Sequence, residues 1–165
     1  MAKTDLTAQT LRELLNYDQE TGIFSWRVRR KNGAMPGTIA GGLVHGYIRI
    51  RINGFTYESH RLAWLHTTGA WPENEIDHIN GVKNDNRIVN LRNVSRAANV
   101  QNQRRAQSHG SSGFLGAAKV KARNQWVATI RIEGKKRHIG YFNTPEQAHE
   151  AYIAAKRQFH EGCTI

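Results

Sequence analysis

The segment from residue 75 to residue 103, EIDHINGVKNDNRIVNLRNVSRAANVQNQ, carries seven asparagines around a single Asp77-His78 pair. The asparagine amide competes with the backbone for hydrogen bonds, so asparagine is unfavourable in helix interiors and in strands. Clustered amides instead stabilise irregular chain through side-chain-to-backbone hydrogen bonds. The segment therefore predicts a long ordered loop after the Asp-His pair, tied down chiefly by Asn86 and Asn90.

The chain before this segment predicts short strands framed by two helices. A helix is expected over residues 5–16, with Thr10 and Glu13 as its capping box. The stretches GIFSWRVRR, GTIAGG and GYIRIRINGFTYE are expected as strands, and Asn53-Gly54 predicts a hairpin turn within the last of them. The helical pattern of HRLAWLH follows and is expected to stop before GAWP.

The last 55 residues predict a three-stranded antiparallel sheet followed by one helix. Turns are expected at residues 122–124 and 133–134, and the helix is expected to begin after an N-cap at Thr144, with Pro145 at its first position. Gly162 is expected to follow the helix end. The apolar stripe predicted to pack on the sheet consists of Ala148, Ala151, Tyr152, Ala155 and Phe159.

The charge of the chain points to a polyanionic partner. The net charge is +11, and from residue 100 onward there are eleven Lys and Arg against four Asp and Glu. Such an excess in one segment favours nucleic acid, while a solvated surface that promotes solubility is the alternative. A lone Cys163 excludes a disulfide framework, and the sequence shows no signal peptide or membrane span. We expect a cytoplasmic protein.

The C-terminal segment resembles the Apetala-two (ethylene-response-factor) DNA-binding domain, through SGFLGAAKVKARNQWVATIRI and RHIGYFNTPEQAHEAYIAAK in that order. The predicted helix covers one face of the sheet, and the other is called the open sheet face. The resemblance implies that this open sheet face lies in the major groove of double-stranded DNA. Leu115 and Val120 depart from the basic pattern of that family, and His138 stands where tryptophan is common. Carried over by position, the candidate DNA contacts are Lys119, Lys121, Arg123, Arg131 and Lys136.

The Asp77-His78 pair suits metal-assisted hydrolysis of a phosphodiester. On a strand the two side chains point to opposite sides, so Asp77 can bind a metal while His78 accepts a proton from water. One carboxylate is too few ligands. Asn99, one turn inside a helix expected to begin after Ser95, can supply a second oxygen.

This spacing, with Asn90 twelve residues after His78 and Asn99 nine further on, resembles the HNH endonucleases of the ββα-metal fold, in the branch found in phage homing enzymes. The flanking HRLAW and NRIVNL support the resemblance. It implies that His78 is the general base, that Asp77 and Asn99 bind one divalent ion, and that Asn90 braces the loop and orients the histidine. A carboxylate oxygen and an amide oxygen are both hard donors, so Mg²⁺ or Mn²⁺ is the expected ion. His60 is interpreted as a packed or capping histidine, and Arg61 as a candidate phosphate contact.

Together these features predict an α+β protein of two modules. Residues 1–104 form a small HNH nuclease module with a β-rich N-terminal extension and its ββα-metal motif at about 73–104. Residues 105–112 form a linker, and residues 113–165 a three-stranded antiparallel sheet packed on one helix that binds DNA. The alternative is a catalytically idle DNA-binding regulator. An RNA-binding protein is disfavoured, because the aromatics do not form base-stacking platforms.

Overall fold

The computed structural model describes residues 6–31, 33–104, 106 and 112–165. The chain divides into two compact units, one reaching Arg96 and the other beginning at Ala97. This division lies within the segment predicted as the nuclease module. The predicted linker at 105–112 lies almost entirely outside the described residues.

The first unit is built from small antiparallel sheets and two helices. Strands β1 and β2 form one pair, β3, β4 and β5 a three-stranded sheet in that order, and β6 and β7 another pair. A single 3₁₀ turn, Ile88–Asn90, precedes β7. The elements are α1 (Ala8–Leu14), β1 (Leu15–Asp18), β2 (Ile23–Trp26), β3 (Gly42–Val44), β4 (Tyr47–Ile52), β5 (Phe55–Glu58), α2 (Ser59–Thr68), β6 (Glu75–His78) and β7 (Leu91–Val94).

A local signal marks the start of α1 and the end of α2, and the first of these differs from the prediction. The hydroxyl of Thr7 accepts a hydrogen bond from the Thr10 backbone N–H at 3.1 Å, so the N-cap of α1 is Thr7. The capping box predicted at Thr10 and Glu13 is wrong. Helix α2 ends as predicted, because Gly69 adopts φ +85° and its N–H donates a hydrogen bond to the carbonyl of Leu65.

The core of the first unit lies between α1, α2 and the sheet of β3, β4 and β5. Ile50 and Ile52 on β4 are buried while Arg51 between them is exposed, which confirms the predicted alternation. Leu62 and Leu65 bury the inner face of α2. Each such side chain contributes about 1.5–3 kcal/mol when it leaves water. The same core includes Ile76 on β6, and this anchors the strand that carries Asp77 and His78.

The second unit contains the helix α3 and the predicted sheet with its helix. Its strands are ordered β10-β9-β8, all antiparallel, and α4 packs on one face of that sheet. Ala128 and Ile130 on that face are buried, together with Ala148 of α4. The elements are α3 (Arg96–Gln101, beginning at the last residue of the first unit), β8 (Ala117–Val120), β9 (Gln125–Ile132), β10 (Lys135–Phe142) and α4 (Pro145–Phe159).

The structure of α4 confirms the predictions for its two ends and corrects one for its buried stripe. Thr144 is the N-cap and accepts from the Gln147 N–H at 3.3 Å, with Pro145 at the first position. Phe159 is 48% exposed, so it does not belong to the buried stripe, whereas Lys156 is only 1% exposed. Gly162 follows the helix end, as predicted, and a β-carbon there would overlap with the carbonyl of Ala98 on α3. Glycine is therefore required by close backbone approach.

Within the described ranges, no helix is both long enough and apolar enough to cross a membrane.

Candidate functional site

The predicted Asp-His pair lies on a short buried strand. Strand β6 carries Asp77 and His78, and its partner β7 places Arg92 opposite Asp77 and Leu91 opposite His78. Both side chains of the pair are buried. The two strands are joined by residues 79–90, so the predicted loop is framed by a β-hairpin, and α3 follows β7.

The carboxylate of Asp77 is held by an arginine that sequence analysis did not single out. Arg92 donates to Oδ2 of Asp77 from Nε at 2.9 Å and from Nη2 at 2.8 Å. Because the pair is largely removed from water, loss of Arg92 would leave a buried charge without this compensation. No local pattern marks Arg92; only the register of β6 against β7 brings it to Asp77.

The imidazole of His78 is held by Asn86, which is 1% exposed. The distance from His78 Nε2 to Asn86 Oδ1 is 3.2 Å. Burial lowers the pKa of His78 below its ordinary value, opposed by the Asn86 hydrogen bond and by the nearby charge of Asp77. The ring is therefore neutral near neutral pH, the form that can accept a proton.

Two further aromatic rings surround His78. The ring centroids of His60 and His78 are 5.1 Å apart in an edge-to-face arrangement, and Tyr47 lies 5.5 Å from His60 and 6.1 Å from His78. Lys83 places its ammonium 4.9 Å from the centre of the Tyr47 ring. Burial, followed by the charges of His78 and Arg61, lowers the pKa of His60 to about 3. The interpretation of His60 as a packed histidine is confirmed.

The asparagine side chains of residues 79–90 form hydrogen bonds with backbone groups of the loop. Asn90 Oδ1 accepts from the Asn80 N–H at 3.0 Å, and its Nδ2 donates to the Asp85 carbonyl at 2.8 Å. Asn80 bonds Asp85 Oδ2 at 2.7 Å and caps the Val82 N–H at 2.8 Å. Hydrogen bonds from the Arg87 guanidinium lower the pKa of Asp85 to about 2.

These contacts divide the roles of the two asparagines that the sequence singled out. Asn90 ties the loop, as predicted, but the amide that contacts the His78 ring belongs to Asn86. This contact cannot be predicted from the sequence, because the amides of the segment are chemically alike and only the folded loop distinguishes them.

The two predicted metal ligands lie on different units. Asp77 belongs to the first unit, and Asn99 lies half-buried on α3 in the second. A carboxylate oxygen and an amide oxygen are both hard donors that suit Mg²⁺ or Mn²⁺. In the described part of the chain, no three His, Cys, Asp or Glu side chains converge as a metal cluster.

The predicted DNA contacts are distributed over several surfaces. Arg61 donates to the Asn74 carbonyl at 3.4 Å and lies 5.9 Å from the Trp71 ring, so it has a structural partner within the first unit. On the second unit, Arg131 and Lys136 are directly paired neighbours. Both are exposed, on the face opposite to the one that α4 covers.

Lys119 departs from the predicted arrangement. It pairs with Trp126, which shares a face with the buried Ala128, so Lys119 lies on the helix-covered side of the sheet. Its ammonium donates to Asn124 Oδ1 at 2.8 Å and lies 4.9 Å from the Trp126 ring. The expectation that it shares the open face is therefore wrong. Lys121 is exposed on a 3₁₀ turn, and the side chain of Arg123 lies outside the described structure.

One comparison with known proteins bears on this region. Residues 57–101 match the family model described as HNH endonuclease. The matched residues run from β5 to the end of α3 and include the predicted site residues from His60 to Asn99. No curated protein and no solved structure matches the chain. The match supports a nuclease of the HNH type over less than half of the chain, and it ends before the sheet of β8, β9 and β10.

Proposed function

We propose that this chain is a metal-dependent DNA endonuclease. The observation that carries the proposal is the buried Asp77-His78 pair, with Arg92 on the carboxylate and Asn86 on the imidazole, inside the region that matches HNH endonucleases. A buried ion pair and a buried neutral histidine both cost free energy. A chain that uses this hairpin only as a scaffold has no need of either.

In the proposed reaction, neutral His78 removes a proton from a water molecule, whose oxygen attacks the phosphorus. The P–O3′ bond breaks, the departing O3′ takes a proton from a solvent water, and the products carry 5′-phosphate and 3′-hydroxyl ends. Asp77 and Asn99 would hold Mg²⁺ or Mn²⁺, which supplies positive charge to the phosphate and to the departing oxygen. Arg92 orients the Asp77 carboxylate through two hydrogen bonds, while Asn90 maintains the loop that follows the histidine.

The second unit is proposed to supply affinity for DNA. Arg131 and Lys136 on the open sheet face, with Lys121 on the adjoining turn, present cations to a phosphate backbone. This agrees with the resemblance of the segment to Apetala-two domains. A phage homing role is proposed on the separate resemblance of the first unit to the HNH endonucleases of phage homing enzymes. One site cuts one strand, so a monomer would nick, whereas a dimer could cut both strands.

A plasmid assay tests the activity directly. Supercoiled plasmid is incubated with the protein and Mg²⁺, with and without chelator, and conversion to open circle is followed. We expect conversion that chelator stops. In His78→Ala, cleavage should fall by roughly 10²–10⁴-fold while DNA binding stays within a few-fold, because a methyl group cannot accept the proton. Full activity in this variant would refute the assignment of the base.

The alternative is a DNA-binding regulator without catalysis. It is motivated by the basic second unit alone, and it predicts plasmid binding without conversion in any divalent metal. Binding and cleavage are therefore measured on the same plasmid, so that the two functions are separated in one experiment.

The DNA-binding face is tested by salt dependence. Arg131→Gln and Lys136→Gln should each reduce the slope of log Kd against log salt by about 0.9 if each side chain contacts a phosphate. Lys119→Gln is the matched control, because this lysine lies on the other face. An unchanged slope in the first two variants would show that the open face does not touch DNA.

A further inference from the structure

Asn86 connects the histidine of the site to the N-terminal β1–β2 hairpin. Its side chain contacts His78, while its backbone is contacted from the other side by residues of that hairpin. It is among the most deeply buried polar side chains described in the first unit. The reaction proposed above gives this residue no role.

The contacts of Asn86 define which nitrogen of His78 carries the proton. Asn86 Nδ2 is directed at the carbonyl of Asn84 at 3.5 Å, and a carbonyl can only accept. The other end of the amide, Oδ1, therefore faces His78 Nε2 and can only accept as well. With Oδ1 as the acceptor, the His78–Asn86 contact is a hydrogen bond only when Nε2 carries the proton, and in the neutral ring the lone pair then resides on Nδ1.

The β1–β2 hairpin holds the backbone of Asn86 in place. The Tyr17 hydroxyl donates to the Asn86 carbonyl at 2.7 Å. Gly22, at φ +73°, packs so closely that a β-carbon there would lie 2.5 Å from the Arg87 nitrogen and 2.6 Å from the Asn86 carbonyl carbon. Tyr17 is itself stacked on Phe24 with ring centroids 4.7 Å apart. The hairpin therefore offers a rigid surface against which residues 86 and 87 rest.

We propose that Asn86 is a positioning residue that selects the Nε2–H tautomer of His78, and that Tyr17 and Gly22 extend this function to the β1–β2 hairpin. The inference rests on the proposed function, since a tautomer matters only if Nδ1 takes a proton from water. A wrong tautomer would present an N–H where a lone pair is required. The loss would appear in kcat, because binding of DNA does not use the His78 proton.

Two substitutions at Asn86 test the tautomer. Asn86→Leu has nearly the same shape but no acceptor, whereas Asn86→Asp keeps the acceptor. The tautomer of His78 is read from ¹⁵N chemical shifts and two-bond ¹⁵N–¹H couplings of the imidazole in the full chain, without DNA or metal. We expect a single Nε2–H form in the wild type and in Asn86→Asp, and a mixture in Asn86→Leu. A wild type with Nδ1–H would overturn the proposal.

Cleavage kinetics of the same proteins separate a positioning role from a packing role. We expect kcat of Asn86→Leu to fall by at least about tenfold, towards the roughly 10²–10⁴-fold that a general base contributes, with KM unchanged within a few-fold. Asn86→Asp should retain most of kcat. Equal losses in both variants, or a loss confined to KM, would overturn the role of the acceptor.

The contribution of the hairpin is tested at Gly22, with a matched glycine as control. Gly22→Ala introduces left-handed strain and a clash with residues 86 and 87. Gly37, at φ +86°, has nothing within 4 Å of its β-carbon position, so Gly37→Ala reproduces the strain without the clash. We expect only Gly22→Ala to broaden the His78 tautomer signals and lower kcat. Equal effects in both variants would refute the hairpin's role.

A milder change covers the case in which Gly22→Ala does not fold. Tyr17→Phe removes only the hydroxyl that reaches Asn86, and Ser25→Ala removes a hydroxyl elsewhere in the same hairpin. The former should lower kcat several-fold and the latter should not.

The outcomes also separate this inference from the proposed nuclease activity. A wild type that nicks DNA as fast as Asn86→Leu overturns the inference and leaves the activity standing. A wild type with the Nε2–H tautomer but no metal-dependent cleavage overturns the activity and, with it, the positioning role.

Discussion

Replacement of His60 by phenylalanine should reduce the free energy of unfolding that the first unit loses as the pH falls. His60 is 8% exposed and lies on the first turn of α2 among the rings of Tyr47 and His78. Its Nδ1 is buried and has no hydrogen-bond partner among the residues that the structure describes, so protonation would place a charge where little compensates it. Phenylalanine keeps an aromatic ring there but cannot titrate.

The magnitude follows from linkage between protonation and folding. The pKa of His60 falls from 6.5 in the unfolded chain to about 3 in the folded protein, because of burial first and then of the charges of His78 and Arg61. With the folded pKa below the unfolded one, the stability is fully present above pH 6.5 and is lost as the pH falls. At pH 5.0 the unfolded pKa lies 1.5 units above the solution pH. Each unit is worth ~1.36 kcal/mol, so the wild type loses about 2 kcal/mol between pH 7.5 and pH 5.0 through this residue.

The assay is urea unfolding at these two pH values, followed by tryptophan emission. A Trp126→Phe background is used, so that the remaining tryptophans all lie in the first unit. The larger phenylalanine ring can shift stability, but it does so equally at both pH values. His45→Asn is the control, since His45 is exposed at φ +51°, a conformation that asparagine tolerates.

The decisive quantity is the change in unfolding free energy between the two pH values. We expect it to be about 2 kcal/mol smaller in His60→Phe than in the wild type and unchanged in His45→Asn. Parallel pH profiles for the wild type and His60→Phe would refute the reasoning, because they would mean that His60 is protonated equally in the folded and unfolded chains.

Three further predictions concern the proposed metal ligands and the second unit. Asp77→Asn should abolish nicking in Mg²⁺, Mn²⁺, Ni²⁺ and Zn²⁺ while retaining an acceptor for Arg92; nicking in any of these ions, with circular dichroism unchanged, would contradict the ligand assignment. Asn99→His should extend activity in the same assay towards Ni²⁺ and Zn²⁺, because an imidazole nitrogen is a softer donor than an amide oxygen. Lys156→Ala should lower the stability of the second unit by about 1–3 kcal/mol, since the buried ammonium donates to a backbone carbonyl; unfolding followed by Trp126 emission measures it.

Local signals explain the parts of the fold that could be predicted. The turn at Asn53-Gly54 has positive φ at both residues, and Thr144 with Pro145 begins α4, because these preferences depend only on a few neighbouring atoms. The alternation that buries Ile50 and Ile52 is likewise set by strand geometry. The Asp77-His78 strand and the loop after it were predictable for the same reason.

Contacts between distant residues explain what could not be predicted. Lys156 is buried because its ammonium reaches the Gln103 carbonyl, and Lys119 leaves the open face because the register of β8 on β9 pairs it with Trp126. Lysine side chains are mostly exposed in folded proteins, and this general tendency predicts neither contact. Both outcomes depend on where the backbone of another element happens to lie.

The candidate site likewise has some features that the sequence predicts and others that depend on tertiary contacts. By itself, the sequence determined which residue types could perform hydrolysis and at what spacing, since an acid, a base and amides are needed whatever the fold. Only the tertiary structure decided that Arg92 holds Asp77, that Asn86 rather than Asn90 contacts His78, and that Tyr17 supports Asn86 from 69 residues away. Hydrogen bonds act over about 3 Å, and the chain must fold before residues so far apart in sequence come within that distance.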